Sequence, residues 1–357
     1  MDSSDDPADP ATPGWDAINS ALQPIYGAHQ PMHWGSIINY RLGGPDPLDG
    51  ISAYPREEPV PHWHFISFGF SELYEKESKD LERSGYGFEL TFRLKRSRAE
   101  STPPAWALNL LQNLARYVFD TGNSFARGHY MDANGPIALN VETAIRAVIF
   151  DVDPELPGME TPNGRLEFLQ VVGVTLDELD AIKAWNGERF LELVKEKTPF
   201  LVTDLARGSI LENFAIADRI EEGKRREGSS TASLFVGHCE WLVRKVLIGR
   251  GMLSVTFGAN AVRDLKTVLP ARLTHGRELS VSSSTSSIVF VPGDSPRWEI
   301  TDDGARITLP PALARRFSDA LQSRAGEIDF HEVPDAGFGV VKSEIRDRDG
   351  KVIEVIG

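Results

Sequence analysis

The stretch Phe88-Glu89-Leu90-Thr91-Phe92-Arg93-Leu94 alternates large apolar and polar side chains without a break. Successive residues of a strand point to opposite faces. The pattern therefore predicts a strand with Phe88, Leu90, Phe92 and Leu94 turned to a core and Glu89, Thr91 and Arg93 turned to water. A second strand is predicted at 62–70, where His62-Trp63-His64-Phe65-Ile66-Ser67-Phe68-Gly69-Phe70 is dense in aromatic and β-branched residues. Helical stripes flank the two. Trp15, Ile18, Leu22 and Ile25 recur at three- and four-residue steps, with Pro24 late in the run. Trp106, Leu110, Leu114 and Val118 repeat that spacing after the start signal Ser101-Thr102-Pro103-Pro104.

Further strands are predicted at 144–151, 165–174 and 200–203. Thr175-Leu176-Asp177-Glu178 has the form of a capping box opening a helix that stops near Asn186-Gly187. A second helix is predicted to about Glu196 and a third at 211–222. Composition changes at Glu221–Ser233, a charged, Gly/Ser-rich segment without apolar period, which is the expected linker. Beyond it strands dominate, at 242–248, 253–257, 278–281, 287–291, 298–300 and 306–309, with helices at 262–269 and 312–324. Asp302-Asp303-Gly304 and Arg348-Asp349-Gly350 are predicted hairpin turns. Residues 1–12, acidic and punctuated by proline, are expected to be a disordered leader. The expected fold is α+β: two mixed domains, 13–227 and 228–357, joined by a short linker.

Charge narrows the function. Thirty-eight basic against 52 acidic residues among 357 give a net charge of −14, which repels phosphate backbones and argues against nucleic acid as a partner. No run reaches the roughly 18–20 apolar residues of a membrane span, and the start Met1-Asp2-Ser3-Ser4-Asp5-Asp6 lacks the basic and apolar regions of a signal peptide. With Cys239 the single cysteine, no internal disulfide can form, and the expected compartment is the cytoplasm.

Catalytic patterns are sparse. His62 and His64 share one strand face at a spacing that could ligate a metal, but no Cys or His cluster supplies further ligands, and histidines packed beside Trp63 are the simpler reading. Cys239 beside His238 lacks the marks of an activated thiolate, and Asp151 and Asp153 read as a strand end followed by an Asp-Pro turn. Neither a nucleophile elbow nor a phosphate-binding loop occurs, and no cofactor is implied. The chain is therefore expected not to be an enzyme. The basic groups Lys95-Arg96-Ser97-Arg98 and Lys224-Arg225-Arg226 lie at element ends, as solvated charge does.

Several segments carry a resemblance: HWHFISFGFSELY (62–74), SGYGFELTFRLKR (84–96), PAWALNLLQNLARYVF (104–119), FLQVVGV (168–174), AWNGERFLEL (184–193) and LPARLTHGREL (269–279). In order and spacing they resemble the Suppressor of fused family, more closely in the first half than in the second. The resemblance implies two α+β domains that close on an extended peptide of a GLI-type transcription factor, held as an added strand between them. It implies a non-enzymatic negative regulator of Hedgehog signalling that retains its partner in the cytoplasm. Tyr117 and Phe125 match the aromatics near the peptide site. Where the animal pattern has an Asp that pairs with a ligand His, this chain has His129. The long acidic insert of animal members is missing, so the chain resembles compact bacterial members.

Leu234, Phe235 and Val236, extended and apolar, are the expected contribution of the second domain. Two other functions are compatible with the sequence. One is an immunity protein whose negative charge steers it to a basic toxin. The other is a metal-dependent hydrolase built on His62, His64 and Glu89.

Overall fold

The computed structural model describes residues 11–38, 40–139, 141–244, 251–346 and 351–357. Residues 1–10 of the predicted leader, 245–248 of the predicted strand at 242–248, and the predicted turn at Arg348-Asp349-Gly350 lie outside the described residues. Packing divides the chain into two units. The first comprises the chain up to Leu179 together with Gly187–Glu212; the second comprises Asp180–Asn186 and Asn213–Gly357.

The first unit begins with helix α1 (Pro13–Tyr26) and strands β1 (Met32–Gly35), β2 (Gly50–Arg56), β3 (His62–Phe68) and β4 (Arg83–Lys95). It continues through α2 (Ala105–Thr121), β5 (Tyr130–Asp132), β6 (Ile145–Val152), β7 (Met159–Thr161), β8 (Gly164–Thr175), the start of α3 (Leu176–Ala184), which from Asp180 on belongs to the second unit, and α4 (Gly187–Lys195). Its sheet runs β1-β2-β3-β4-β8-β6-β5, with β7 beside β8. β4 and β8 are parallel and the other pairs antiparallel. The α2 stripe of Ala107, Leu110, Leu111, Leu114, Ala115 and Val118 packs on one face, over Phe65, Phe92, Phe150 and Val171. On the other face Ile18, Leu22 and Tyr26 of α1 pack against Tyr54, Ile66, Phe68 and Phe168.

Coverage of both faces overturns one expectation. Glu89, Thr91 and Arg93 were expected in water, yet all three are fully buried. β4 lies in the middle of the sheet, so its polar side meets protein. The predicted strand at 200–203 is also corrected. Pro199–Leu201 is a 3₁₀ turn with Phe200 and Leu201 at positive φ, because the side-chain amide of Gln170 donates to both of their carbonyls, at 2.8 and 3.0 Å. Only Thr203 pairs with the sheet, beside Leu94.

The second unit continues with α5 (Phe214–Glu227), β9 (Ser233–Phe235), β10 (Cys239–Arg244), β11 (Met252–Gly258), α6 (Val262–Leu273), β12 (Leu279–Ser282) and β13 (Ser287–Pro292). It ends with β14 (Arg297–Thr301), β15 (Gly304–Leu309), α7 (Pro311–Ala320), β16 (Gly326–Glu327), β17 (Ala336–Val341), β18 (Ser343–Arg346) and β19 (Val352–Ile356). Two sheets, β10-β11-β17-β16 and β14-β15-β13-β12-β9, share one core with α6 and α7. The expected linker begins inside a helix: 221–227 form the last turns of α5, with Trp185 lying against Gly223 and donating from Nε1 to Glu227 at 2.8 Å. By packing, α5 goes with the second unit, which puts the division before Asn213 and not at 227/228.

Candidate functional site

β5 ends the sheet order of the first unit, and the sequence gives it little warning at three residues long. Its position follows from the chain entering it. α2 closes at Gly122, whose left-handed φ of 74° lets its N–H reach Val118 O at 2.8 Å. The loop then aligns with β6, Gly128 N donating to Phe150 O at 2.8 Å and Phe150 N to His129 O at 2.9 Å. Arg127 fastens the loop from outside, donating from Nε to Asp151 at 2.9 Å and from Nη2 to Glu192 at 2.7 Å, while Lys195 reaches Asp151 at 2.9 Å. Asp151 is thus the anchor of two cations.

Tyr117 and Phe125 stack, ring centres 5.6 Å apart, and Phe125 stacks in turn on Phe150 at 4.1 Å. The two differ in access. Phe125 is 8% exposed and belongs to the core, whereas Tyr117 is 37% exposed. His129 is exposed, immediately before β5.

In the second unit β9 likewise ends its sheet, parallel to β12, and the ladder extends by Val236 N donating to Ser282 O at 2.8 Å. Strand alternation separates the three predicted contacts. Leu234 and Val236 are buried, while Phe235 is 78% exposed.

The polar residues on the buried side of β4 form a network that sequence reading missed. Arg93 donates to Asp153 from both terminal nitrogens, at 2.6 and 3.0 Å, to Glu155 at 2.9 Å, and also to Gln170. Asp153 further accepts from Thr91 at 2.7 Å, His64 at 3.2 Å, and the N–H groups of Glu155 and Leu156 at 2.8 and 3.0 Å. Because that carboxylate can only accept, His64 carries its proton on Nε2, and Nδ1 accepts from the Tyr26 hydroxyl. Burial, then the Arg93 charge, lowers the His64 pKa to about 4. Burial would raise Asp153, but its bonds with His64 and Arg93 hold it well below the usual carboxylate range.

Those bonds also occupy the residues named in the metal reading. Both nitrogens of His64 are engaged, and His62 directs Nδ1 to Val60 O at 2.7 Å. Glu89 is committed elsewhere, accepting from Ser67 at 2.5 Å, Gly69 N at 3.0 Å, and Ser71 N and Oγ at 2.9 and 2.6 Å; burial raises its pKa to about 7. Among the described residues no group of three or more His, Cys, Asp or Glu side chains could hold a metal ion. Cys239 is buried, and burial pushes its thiol up to about 12. Lys95 pairs with Asp204 at 2.6 Å and Lys224 with Glu221 at 2.7 Å. Among the described residues no helix is long and apolar enough to cross a membrane.

The described residues thus form a two-unit α+β chain in which short strands, β5 in the first unit and β9 in the second, end their sheets. The family model of Suppressor of fused protein matches residues 44–208. The human and mouse Suppressor of fused homologs are each 39% identical over 228 residues, covering 59% of this chain and 46% of theirs. The chain thus spans about half the length of the curated relatives it matches. The Drosophila Suppressor of Fused crystal structure matches 92% of this chain and 97% of its own with a TM-score of 0.76 at 23% identity, which bears on fold alone. A chain of the Sufu-Fu complex crystal structure is 32% identical, with a TM-score of 0.56 over 60% of this chain and 97% of its own. The chain belongs to the Suppressor of fused family.

Proposed function

We propose that this chain is a protein-binding regulator that captures its partner through an extended peptide added beside β5. One observation carries the reading: β5 is the terminal strand of its sheet, and its neighbour β6 carries Phe150, on which Phe125 and then the accessible Tyr117 ring stack. Adding a strand gains main-chain hydrogen bonds, and the neighbouring side chains select the sequence. Family membership supports a binding role, as does the relative described as part of a Sufu-Fu complex. The partner class implied by the resemblance is a GLI-type segment containing histidine, and a cytoplasmic, non-enzymatic setting belongs to the same proposal. Exposed Phe235 of β9 is the second unit's proposed contact, and Leu234 and Val236 act by holding that strand in place.

His129 replaces the expected acid, so a cationic ligand loses a charge-assisted bond. Titration of the full chain with a fluorescent GLI-type His-containing peptide tests the reading. His129→Asp strengthens binding, whereas Tyr117→Ala weakens the His129→Asp complex by about 30-fold, the scale of a desolvated aromatic anchor. Phe235→Ser weakens it as well. Equal affinity of the wild type and His129→Asp would show that this loop does not read the peptide.

A further inference from the structure

The sheet of the first unit has a second terminal strand, β1, at the end opposite β5. All four residues of β1 are exposed, Trp34 among them at 38%, and just beyond the strand Ile37 and Ile38 are exposed as well. Edge strands are ordinarily guarded by charge, proline or a bulge within the strand, because their outward N–H and C=O groups invite another strand. β1 carries none of these: it reads Met32-His33-Trp34-Gly35 and keeps a regular register with β2. The surrounding sequence is equally bare. No Asp, Glu, Lys or Arg occurs between Asp16 and Arg41, in a chain where 25% of residues are charged.

Register fixes which groups of β1 face outward. Met32 pairs with Ala53 and Gly35 with Gly50, and Ser36 N continues the ladder by donating to Asp49 O at 2.9 Å. Bonded and non-bonded pairs alternate along an antiparallel ladder. Ser36, Trp34 and Met32 therefore turn their backbone groups to β2, while His33 and Gly35 turn theirs away from it. Side chains alternate between faces too. His33 lies on the α1 face, its ring centre 5.7 Å from Trp15 and 6.0 Å from Phe68, with Nδ1 3.0 Å from the Ser52 hydroxyl. Trp34 lies on the other face, paired with Ile51 of the core that α2 covers. Burial lowers the His33 pKa, so the strand is uncharged at neutral pH.

We propose that β1 pairs antiparallel with β1 of a second copy of this chain, about a two-fold axis at Trp34. In that register the outward N–H and C=O groups of His33 in each copy bond those of Gly35 in the other. Trp34 meets its counterpart in a non-bonded pair, where side chains approach most closely, and aromatic cross-strand pairs stabilise a sheet. Gly35 presents no side chain to crowd the His33 opposite it. A two-fold contact requires a patch that complements itself, and this strand does so in both backbone and side chains. Charge favours the same occupant. Two copies of net charge −14 repel each other, and the uncharged run around β1 is where they approach at least cost, whereas β5 at the far end of the sheet carries Asp132. The pairing uses no residue of β5 and stands independently of peptide capture there.

Sedimentation velocity of the full chain across a concentration series tests the pairing. A monomer–dimer equilibrium is expected, with dimer populated by about 100 µM, the weak association of a small interface. It should tighten as added salt screens the like charges. Trp34→Lys sets two ammonium groups face to face at an exposed position. It is expected to raise the dissociation constant at least about tenfold and to leave the melting temperature nearly unchanged. Trp34→Cys supplies a second readout, since cysteines facing each other across a strand pair lie within disulfide reach and Cys239 is buried. Mild oxidation should cross-link it to its copy faster than Leu81→Cys, an exposed control. Three results would each overturn the proposal: a monomer at about 500 µM in high salt, dimerisation unchanged by Trp34→Lys, or Leu81→Cys cross-linking as fast as Trp34→Cys.

Discussion

Arg93 and Asp153 meet in a two-pronged ion pair, at 2.6 and 3.0 Å, with neither side chain exposed to solvent. Taking both charges out of water costs several kcal/mol each, and the pair is tolerable because most of its remaining bonding positions, Arg93 Nε excepted, are filled from Thr91, His64, Glu155 and Gln170. The pair joins β4 to the turn after β6, across the sheet side that α1 covers.

Removing one partner should therefore cost far more than removing both. Asp153→Ala is expected to destabilise the fold by about 3–5 kcal/mol, by stranding the Arg93 charge. Arg93→Met combined with Asp153→Leu should recover much of that loss. Urea denaturation midpoints measure both, and a single-variant cost below about 1 kcal/mol would mean that the network is not structural.

Glu89 and His64 titrate in opposite senses. Burial raises the Glu89 pKa from 4.5 to about 7, so the folded state holds this proton more tightly, and the associated stability is full below pH 4.5 and lost as pH rises through 7. Burial lowers His64 from 6.5 to about 4, so its contribution is full above pH 6.5 and lost as pH falls toward 4. Glu89→Gln removes the first effect only. The stability of the variant relative to wild type should climb by about 3 kcal/mol between pH 4.5 and 7, read from urea midpoints at each pH. A flat difference would show that Glu89 is ionised in that range.

Gly223 leaves room for Trp185. A β-carbon there would stand 2.3 Å from the indole Cε2, while the ring is tethered to Glu227 at 2.8 Å. Gly223→Ala should cost about 1–3 kcal/mol despite the gain in helix propensity, with the Trp185 fluorescence environment altered. An increase in melting temperature would contradict this packing.

Tyr117 and Phe125 should separate stability from binding. Phe125→Ala opens a hole beside Phe150 and is expected to cost about 3 kcal/mol or more, whereas exposed Tyr117→Ala should cost about 1 kcal/mol or less. Thermal unfolding of the two variants distinguishes them, and equal losses would place Tyr117 in the core as well.

The long elements were legible because their periodicity is strong: β3, β8 and α2 lie within a few residues of where their patterns put them. β4 was legible as a strand but not as a central one, since Phe88–Leu94 has the same alternation whether its polar side meets water or a buried network. The missing signal was long-range, the complementary charge on Asp153, which locally looks like a turn residue before proline. Phe200-Leu201 has strand composition and forms a turn because Gln170, thirty residues earlier, takes its carbonyls. The predicted helix at 211–222 corresponds to α5, but its end at 223–227 was read as linker because Lys and Arg follow a stripe of only Ile216, Ile220 and Gly223. Of the residues singled out for the site, the structure leaves Tyr117, His129 and Phe235 accessible and buries Phe125, Leu234 and Val236, a division that composition alone does not reveal. β5 was not legible, because three residues carry no period.

The central claim is that an extended peptide adds to the sheet at β5. Peptides selected from a random library on the immobilised full chain, followed by hydrogen–deuterium exchange of the best binder's complex, test it directly. Amides at 129–133 should exchange more slowly in the complex, because a strand laid beside β5 engages its outward backbone groups. Binders that protect other segments and leave 129–133 unchanged would contradict the account.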